Sequence, residues 1–233
     1  MINIALLNMS RVRKADEIAH LASVLDLQIR RDFAPAWGKY ATCIYAPPGM
    51  TLSDTTWRVQ LLDEPHGAQD AGAYGYHVRQ GKDYIPQGKV FTTMCERFHE
   101  SWTAVASHEV LEMLGDPQVN IEIRRMLTNG TIELWPQELC DATQEQAYSI
   151  DGLQVSNFVL PEYFIDGSDG PYDFLHKLKA PFSISDGGYS SVTRITKDGK
   201  VHTYNDSGVH YPAWRKEERP GSRRDSRYGG ALR

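Results

Sequence analysis

The spacing of apolar residues along the first hundred positions predicts several short strands and one amphipathic helix. Residues 2–7 form a mostly apolar run of strand length. Further strands are predicted at residues 41–46, 56–62, 73–78 and 89–93. Between residue 11 and about residue 31 the apolar side chains recur every three or four positions, as on one buried face of a helix. They are Ile18, Leu21, Ala22, Leu25 and Ile29.

A second helix is predicted from about residue 98 to residue 114, and the pattern changes after it. Gly115-Asp116-Pro117 ends this helix, because proline cannot continue the hydrogen-bonding pattern. Beyond it the pattern indicates strands and loops, with a hairpin around Lys197-Asp198-Gly199 between residues 189–195 and 200–204. The order of elements predicts an α+β domain with an N-terminal helix, a second helix and then an irregular strand and loop half.

One domain is predicted over residues 1–214, followed by a tail over residues 215–233. The tail has seven basic and three acidic residues and almost nothing apolar. This composition predicts a mobile, solvated end, and that interpretation is favoured over a tail that contacts an acidic partner.

The composition narrows the class of protein and its compartment. With 233 residues, 41% hydrophobic and 24% charged, the chain can bury one sizeable core. A net charge of -5 gives no reason to expect nucleic acid as a partner. The three cysteines are an odd number without a C-x-x-C pair, which favours a reducing compartment. Without a secretory pattern at the N-terminus or a run of about 20 apolar residues, we expect a soluble, cytoplasmic protein without a membrane segment.

The predicted second helix carries residues suited to a metal site. His108 and Glu112 are four positions apart, so on a helix they lie one turn apart on the same face and can grip one ion. Glu109 is rotated by roughly 100° from His108, so it can reach past the metal and take a proton from a metal-bound water. Zinc lowers the pKa of such a water to about 7.

The neighbours of these residues on the helix strengthen the metal hypothesis over ordinary helix polarity. A histidine and two carboxylates on a helix that looks buried need a reason for their polarity. On the same face the side chains are small, namely Ser101, Ala104 and Val105. On the opposite face they are large or apolar and predict burial in the core, namely Trp102, Ala106, Val110, Met113 and Leu114.

This segment resembles a zincin-like, metallopeptidase-type group of bacterial and phage proteins. The matching core is Ser107-His108-Glu109-x-x-Glu112-x-x-x-Asp116-Pro117 with a later Glu138-x-x-Asp141. Weaker matches are Asp32-Phe33-Ala34-Pro35-Ala36-Trp37-Gly38, Gly75-Tyr76-His77, Asp151-Gly152 and Val155-Ser156-Asn157, so the resemblance spans roughly residues 1–215.

The resemblance implies a zincin-like fold, with a twisted mixed sheet beside the active-site helix and an antiparallel edge strand that can pair with an extended peptide. It also implies zinc as cofactor and a peptide or protein as substrate. Glu112 replaces the second histidine of the familiar H-E-x-x-H pattern. A carboxylate is an acceptable zinc ligand, but its added negative charge makes the metal a weaker Lewis acid.

The third metal ligand is expected from the second acidic cluster. Glu138 and Asp141 would point the same way on a helical turn and to opposite faces on a strand. Asp141 is favoured as the ligand with Glu138 as its supporting partner, and the reverse assignment stays open. Cys140 is a less favoured thiolate ligand. Asp116 is expected to bond backbone amides where the helix ends.

Three further residues have a functional and a plainer interpretation. His77 could stabilise an oxyanion or contact substrate, although a packed strand histidine is favoured. Tyr148 and Tyr163 could donate hydrogen bonds to a transition state, although ordinary aromatic packing is favoured for both.

The leading hypothesis is a zinc-dependent hydrolase, most simply a peptidase. The alternative is a non-catalytic zincin-fold protein that acts in binding or assembly, with a structural metal or none. A calcium site is a weaker alternative, because His108 is a poor calcium ligand.

Overall fold

The computed structural model describes residues 1–66, 73–80 and 85–207, so the predicted tail lies outside the described residues. The helices are α1 (Ala15–Gln28), α2 (Ala34–Trp37), α3 (Thr92–Arg97) and α4 (Trp102–Gly115). The strands of the first hundred residues are β1 (Ile2–Asn8), β2 (Ala41–Ala46), β3 (Trp57–Leu62), β4 (Gly75–Gln80) and β5 (Ile85–Phe91). The later strands are β6 (Glu122–Met126), β7 (Ile132–Pro136), β8 (Ala147–Ile150), β9 (Leu153–Ser156), β10 (Tyr189–Ile195) and β11 (Val201–Ser207).

The chain has a mixed α+β fold that divides into two compact units. The first unit comprises Met1–Gln118 and Gln146–Asn157. The second comprises Val119–Glu145 and Phe158–Arg233. Within the described part of the chain, no helix is long and apolar enough to cross a membrane.

A five-stranded mixed sheet forms the centre of the first unit. Its strand order is β2-β1-β3-β5-β4. Strands β2, β1, β3 and β5 run parallel to one another, and β4 runs antiparallel to β5 at one edge of the sheet. The α1 helix connects β1 to the parallel strand β2, which is the connection that a parallel pair requires. A mixed sheet with an antiparallel edge strand agrees with the expectation from the sequence.

The predicted periodic face of the first helix is buried in this unit. Ile18, Leu21, Leu25 and Ile29 have no exposed surface. Regular α-helix begins at Ala15, later than predicted, because residues 11–13 form a bend and Lys14 has an extended backbone. The far end continues as a π-helical turn, Ile29–Phe33, into α2.

The predicted second helix corresponds to α4, which begins later than predicted, and a short helix that was not predicted, α3, precedes it. The chain of α3 begins at Thr92, where the sequence predicted the end of a strand, and a turn at residues 98–99 separates it from α4. The α4 helix begins after Ser101, whose Oγ accepts a hydrogen bond from the backbone N–H of Ala104. This side chain satisfies a helix N–H that would otherwise have no partner, which sets the boundary.

The hairpin of β8 and β9 completes the described first unit. Its turn is Asp151-Gly152, and both residues have positive φ, 47° and 81°. That conformation matches the right-handed twist of two paired strands, and Asp-Gly is a favoured sequence for it.

The second unit contains a four-stranded antiparallel sheet of order β11-β10-β7-β6. The pairing of β10 with β11 confirms the predicted hairpin. Trp135, Phe182 and Val192 form its buried core. The buried carboxylate of Glu133 accepts hydrogen bonds from Arg194 Nε and Trp135 Nε1, at 2.8 and 3.0 Å.

Candidate metal site

The α4 helix is the scaffold of the candidate site and packs against β4, β5 and β9. Val110, Met113 and Leu114 are buried, as predicted from the apolar pattern. Ser101, which the sequence placed among the small side chains beside the site, also caps the helix. The polar residues of the motif therefore belong to a helix held on several sides within the first unit.

A buried polar network fixes one face of α4. Ser107 Oγ donates to Gln28 Oε1 at 2.7 Å and accepts from the Ser156 backbone N–H at 3.0 Å. Gln28 Nε2 in turn donates to Ser156 O at 3.0 Å and to Tyr148 Oη at 3.2 Å. Tyr148 Oη donates to Asp32 Oδ2 at 2.7 Å. These bonds connect α4 to α1 and to the hairpin, which restricts the rotation of α4 about its axis.

Tyr148 has a structural role in this network. Burial raises the pKa of its phenol, and the hydrogen bond to Asp32 and the charge of that carboxylate raise it further. The phenol therefore stays protonated and keeps donating to Asp32. This position agrees with the favoured interpretation of Tyr148 as a packed aromatic residue.

His108 and Glu112 lie together on α4, as the four-residue spacing predicted. His108 Nε2 is 3.2 Å from Glu112 Oε1, and both residues are buried. Two ligands on one tetrahedral zinc ion, each about 2.0–2.1 Å from it, are about 3.3 Å apart. The nitrogen and the oxygen are thus spaced as ligands of one ion would be.

Glu109 turns toward β4, where it meets His77. His77 Nδ1 is 3.2 Å from Glu109 Oε2 and 3.5 Å from Glu112 Oε2. The ligand atoms of His77, Glu109 and Glu112 all lie within 4.8 Å of one another, and such a group could hold a metal ion.

The sequence did not predict His77 as a metal ligand, and a contact with an oxyanion or substrate was the less favoured interpretation. Its place on a short strand indicated a packed histidine, and it is indeed buried. A usable signal was the alternation of strand side chains, which places Gly75 and His77 on one face. That pattern leaves open which helix the face meets.

Gly75 allows β4 and α4 to approach closely. A Cβ atom at this position would lie 2.8 Å from Val105 Cγ1, 2.9 Å from the backbone oxygen of Lys89 and 3.1 Å from Glu109 Oε1. Real Cβ contacts are longer than the first two of these distances. The absence of a side chain at Gly75 therefore makes room for Glu109 beside His77.

The C-terminal end of α4 is held by a lysine. Lys39 Nζ donates to the Gly115 carbonyl at 2.7 Å, and a cation there complements the negative end of the helix dipole. Burial lowers the pKa of Lys39 and outweighs the charge of Asp116, which would raise it. The backbone N–H of the buried Asp116 donates to Glu112 O at 2.7 Å. The predicted bonds of the Asp116 side chain to backbone amides stay a prediction.

The other predicted ligands belong to the second unit. Glu138 lies in the irregular segment after β7, and Asp141 begins a single 3-10 turn, Asp141–Thr143, so the pair lies on neither a regular helix nor a strand. Both carboxylates are buried, as is the thiol of Cys140. Burial and the charge of Asp141 raise the pKa of Tyr163, so its phenol is a proton-bearing group near that carboxylate. The choice between Asp141 and Glu138 as ligand stays a prediction.

No protein-family model, curated protein or solved structure matches the chain. The resemblance to zincin-like proteins therefore stays a prediction that rests on the motif residues.

Proposed function

We propose that the protein is a zinc-dependent hydrolase, most simply a peptidase. His108 and Glu112 would hold the ion, with Asp141 or Glu138 as the expected third ligand. The observation that carries the proposal is the separation of 3.2 Å between His108 Nε2 and Glu112 Oε1 on one buried helix face.

The donor types favour zinc over calcium or magnesium. One imidazole nitrogen with carboxylate oxygens is a donor set that zinc accepts, whereas calcium and magnesium prefer oxygen ligands alone. When bound, zinc supplies Lewis acidity and brings the pKa of a coordinated water to about 7.

Glu109 is proposed as the general base. It follows His108 directly on α4, and a carboxylate there can accept a proton from water and pass it to a leaving group. Its Oε2 atom contacts His77 Nδ1 at 3.2 Å, which keeps the carboxylate in one orientation. In this scheme His77 positions Glu109.

A zincin-like arrangement and a peptide substrate are part of the same proposal. The mixed sheet and its antiparallel edge strand β4, with α4 packed against it, support both. An extended peptide can pair with the edge of a sheet through main-chain hydrogen bonds. Such a peptide would lie beside the strand that carries His77.

Metal analysis of the purified protein with a Glu109→Gln variant tests the proposal. We expect bound zinc in the wild type, together with hydrolysis of casein-like or cell-wall peptides. Glu109→Gln should keep the zinc held by His108 and Glu112 and lose hydrolysis, because an amide cannot accept the proton. Less than about a tenth of an equivalent of transition metal after loading would overturn the metal site, since a ligand set of this kind should fill. Equal hydrolysis by both forms would overturn the role of Glu109.

A non-catalytic binding or assembly protein is the second candidate. The observation that favours it is the burial of the donors, since Glu112 has no exposed surface and Glu109 is only 2% exposed. Closed sites are typical of structural zinc, whereas catalytic zinc keeps a position for water. Bound zinc without hydrolysis of any peptide tested would favour this candidate.

A further inference from the structure

His77 brings a second nitrogen donor to the motif carboxylates. Its Nδ1 atom lies 3.2 Å from Glu109 Oε2 and 3.5 Å from Glu112 Oε2. These distances bracket the separation of about 3.3 Å between two ligands of one tetrahedral zinc ion. The contact of His77 Nδ1 with Glu109 Oε2 is also a hydrogen bond, at the long end of the ordinary range for N–H···O bonds.

Glu112 stands between two imidazoles. Its Oε1 atom faces His108 Nε2 at 3.2 Å, and its Oε2 atom faces His77 Nδ1 at 3.5 Å. A carboxylate has two oxygens that can each accept a bond from a different partner. Glu112 therefore places one carboxylate oxygen beside His108 and the other beside His77.

The charge of the group calls for a cation. Glu109 and Glu112 are two buried carboxylates within 4.8 Å of each other, and burying ionised carboxylates is costly unless opposite charge compensates them. His77 and His108, the imidazoles beside these carboxylates, supply a positive charge only when they are protonated. A divalent cation would balance both carboxylates.

The donors are held by two different elements. His77 comes from β4 and both carboxylates from α4, and Gly75 permits the close approach of these elements. The positions of all three side chains are therefore fixed by the packing of strand against helix. A preformed group of this kind meets a requirement for metal affinity.

We propose that His77, Glu109 and Glu112 form a second metal position, selective for a divalent transition metal such as zinc, with Glu112 shared between it and the position at His108. This position goes beyond the proposed function, whose ligands do not include His77. When it is filled, Glu109 is a ligand, so its role as a base applies to the protein with only the first position occupied.

Zinc stoichiometry of the full chain tests the second position. The metal-free protein is titrated with zinc chloride, and bound metal is counted by native mass spectrometry and by elemental analysis. We expect two equivalents for the wild type and one for His77→Ala. His108→Ala should also bind one, and the double variant none. His20→Ala is the matched control and should bind two, because it removes a histidine of the same unit whose side chain is 42% exposed and contacts Asp151.

The pattern of results separates this inference from the proposed function. If the wild type and His77→Ala each bind one equivalent and His108→Ala binds none, the second position is overturned and the first stands. If the wild type and His108→Ala each bind one and His77→Ala binds none, the His77 position stands and the proposed ligands fail. If the wild type binds none, both are overturned.

Glu109→Gln is the second variant in case His77→Ala does not fold, which circular dichroism will show. It removes a charged ligand with little change of volume. One equivalent for Glu109→Gln against two for the wild type supports the second position. Two equivalents for a folded Glu109→Gln overturn the ligand set.

Discussion

Replacing Gly75 by alanine should loosen the contact between β4 and α4 and thereby disturb the candidate site. The added Cβ would lie 2.8 Å from Val105 Cγ1 and 2.9 Å from the backbone oxygen of Lys89. The oxygen cannot rotate away, because β4 and β5 are paired, with Gly75 opposite Val90. Val105 is β-branched on a helix, so its χ1 angle has little freedom.

The size of the effect follows from two opposing terms. Overpacking of a well-packed site destabilises by about 1–3 kcal/mol, and contact with a paired strand and a stiff side chain points to the upper half, about 2–3 kcal/mol. Replacing glycine by alanine also restricts the unfolded chain, which stabilises by about 0.4–1 kcal/mol. The free energy of unfolding should therefore fall by about 1–2.5 kcal/mol.

Gly88→Ala in the neighbouring strand β5 is the matched control. A Cβ there would lie 3.3 Å from Met113 Sδ and 3.4 Å from Val59 Cγ2. Methionine is flexible and can move by the few tenths of an ångström required. We expect Gly88→Ala to change the free energy of unfolding by less than about 0.5 kcal/mol, since the gain in the unfolded state offsets the mild crowding.

Urea unfolding followed by far-UV circular dichroism measures both variants, and zinc titration measures the site. Gly75→Ala should also bind less zinc, because its Cβ would lie 3.1 Å from Glu109 Oε1. A Gly75→Ala protein as stable as the wild type and as Gly88→Ala would refute the close approach of β4 and α4.

Two further predictions concern buried polar groups that are not among the proposed metal ligands. Ser107→Ala should lower the free energy of unfolding by about 1–3 kcal/mol in urea melts, because Gln28 Oε1 and a backbone N–H of β9 each lose a buried partner. The control Ser53→Ala, at an exposed position, should change the free energy of unfolding by less than about 0.5 kcal/mol. Equal effects of the two substitutions would contradict the network. Burial alone would raise the pKa of Glu133, but hydrogen bonds from Arg194 and a tryptophan and the nearby guanidinium charges outweigh it, so the pKa is lowered. The resulting stabilisation is present above the ordinary pKa of glutamate and is lost as the pH falls through the lowered value, so melting temperatures should drop more steeply in acid for the wild type than for Glu133→Gln.

The elements predicted correctly from the sequence are those whose signal is local. The helix face of Ile18, Leu21 and Leu25 depends on a single repeat, and the hairpin at Asp198-Gly199 depends on turn residues beside two strand patterns. The predicted start of the second helix at about residue 98 was wrong, because the helix begins only after the cap at Ser101, which the apolar pattern does not mark. The hairpin at Asp151-Gly152 carried a turn signal of the same kind, but its strands are only four residues long.

The same distinction between local signals and contacts distant in sequence applies to the residues of the candidate site. His108 and Glu112 are neighbours because helix geometry alone makes them so. His77 joins them only because β4 pairs with β5 and because that edge of the sheet packs against α4. Both conditions depend on contacts between residues far apart in sequence, which no spacing rule supplies.

Glu112 contacts one imidazole with each of its two carboxylate oxygens. A second histidine in its place would offer one nitrogen to a metal, which suits a site with a single ion. A carboxylate offers two oxygens, and in this protein one faces His108 while the other faces His77. In the proposed arrangement, the residue that would weaken the Lewis acidity of a metal at His108 also places an oxygen 3.5 Å from His77 Nδ1 on β4. In the proposed pair of metal positions α4 would supply the carboxylate oxygens, and the nitrogens would come from His108 on α4 and His77 on β4.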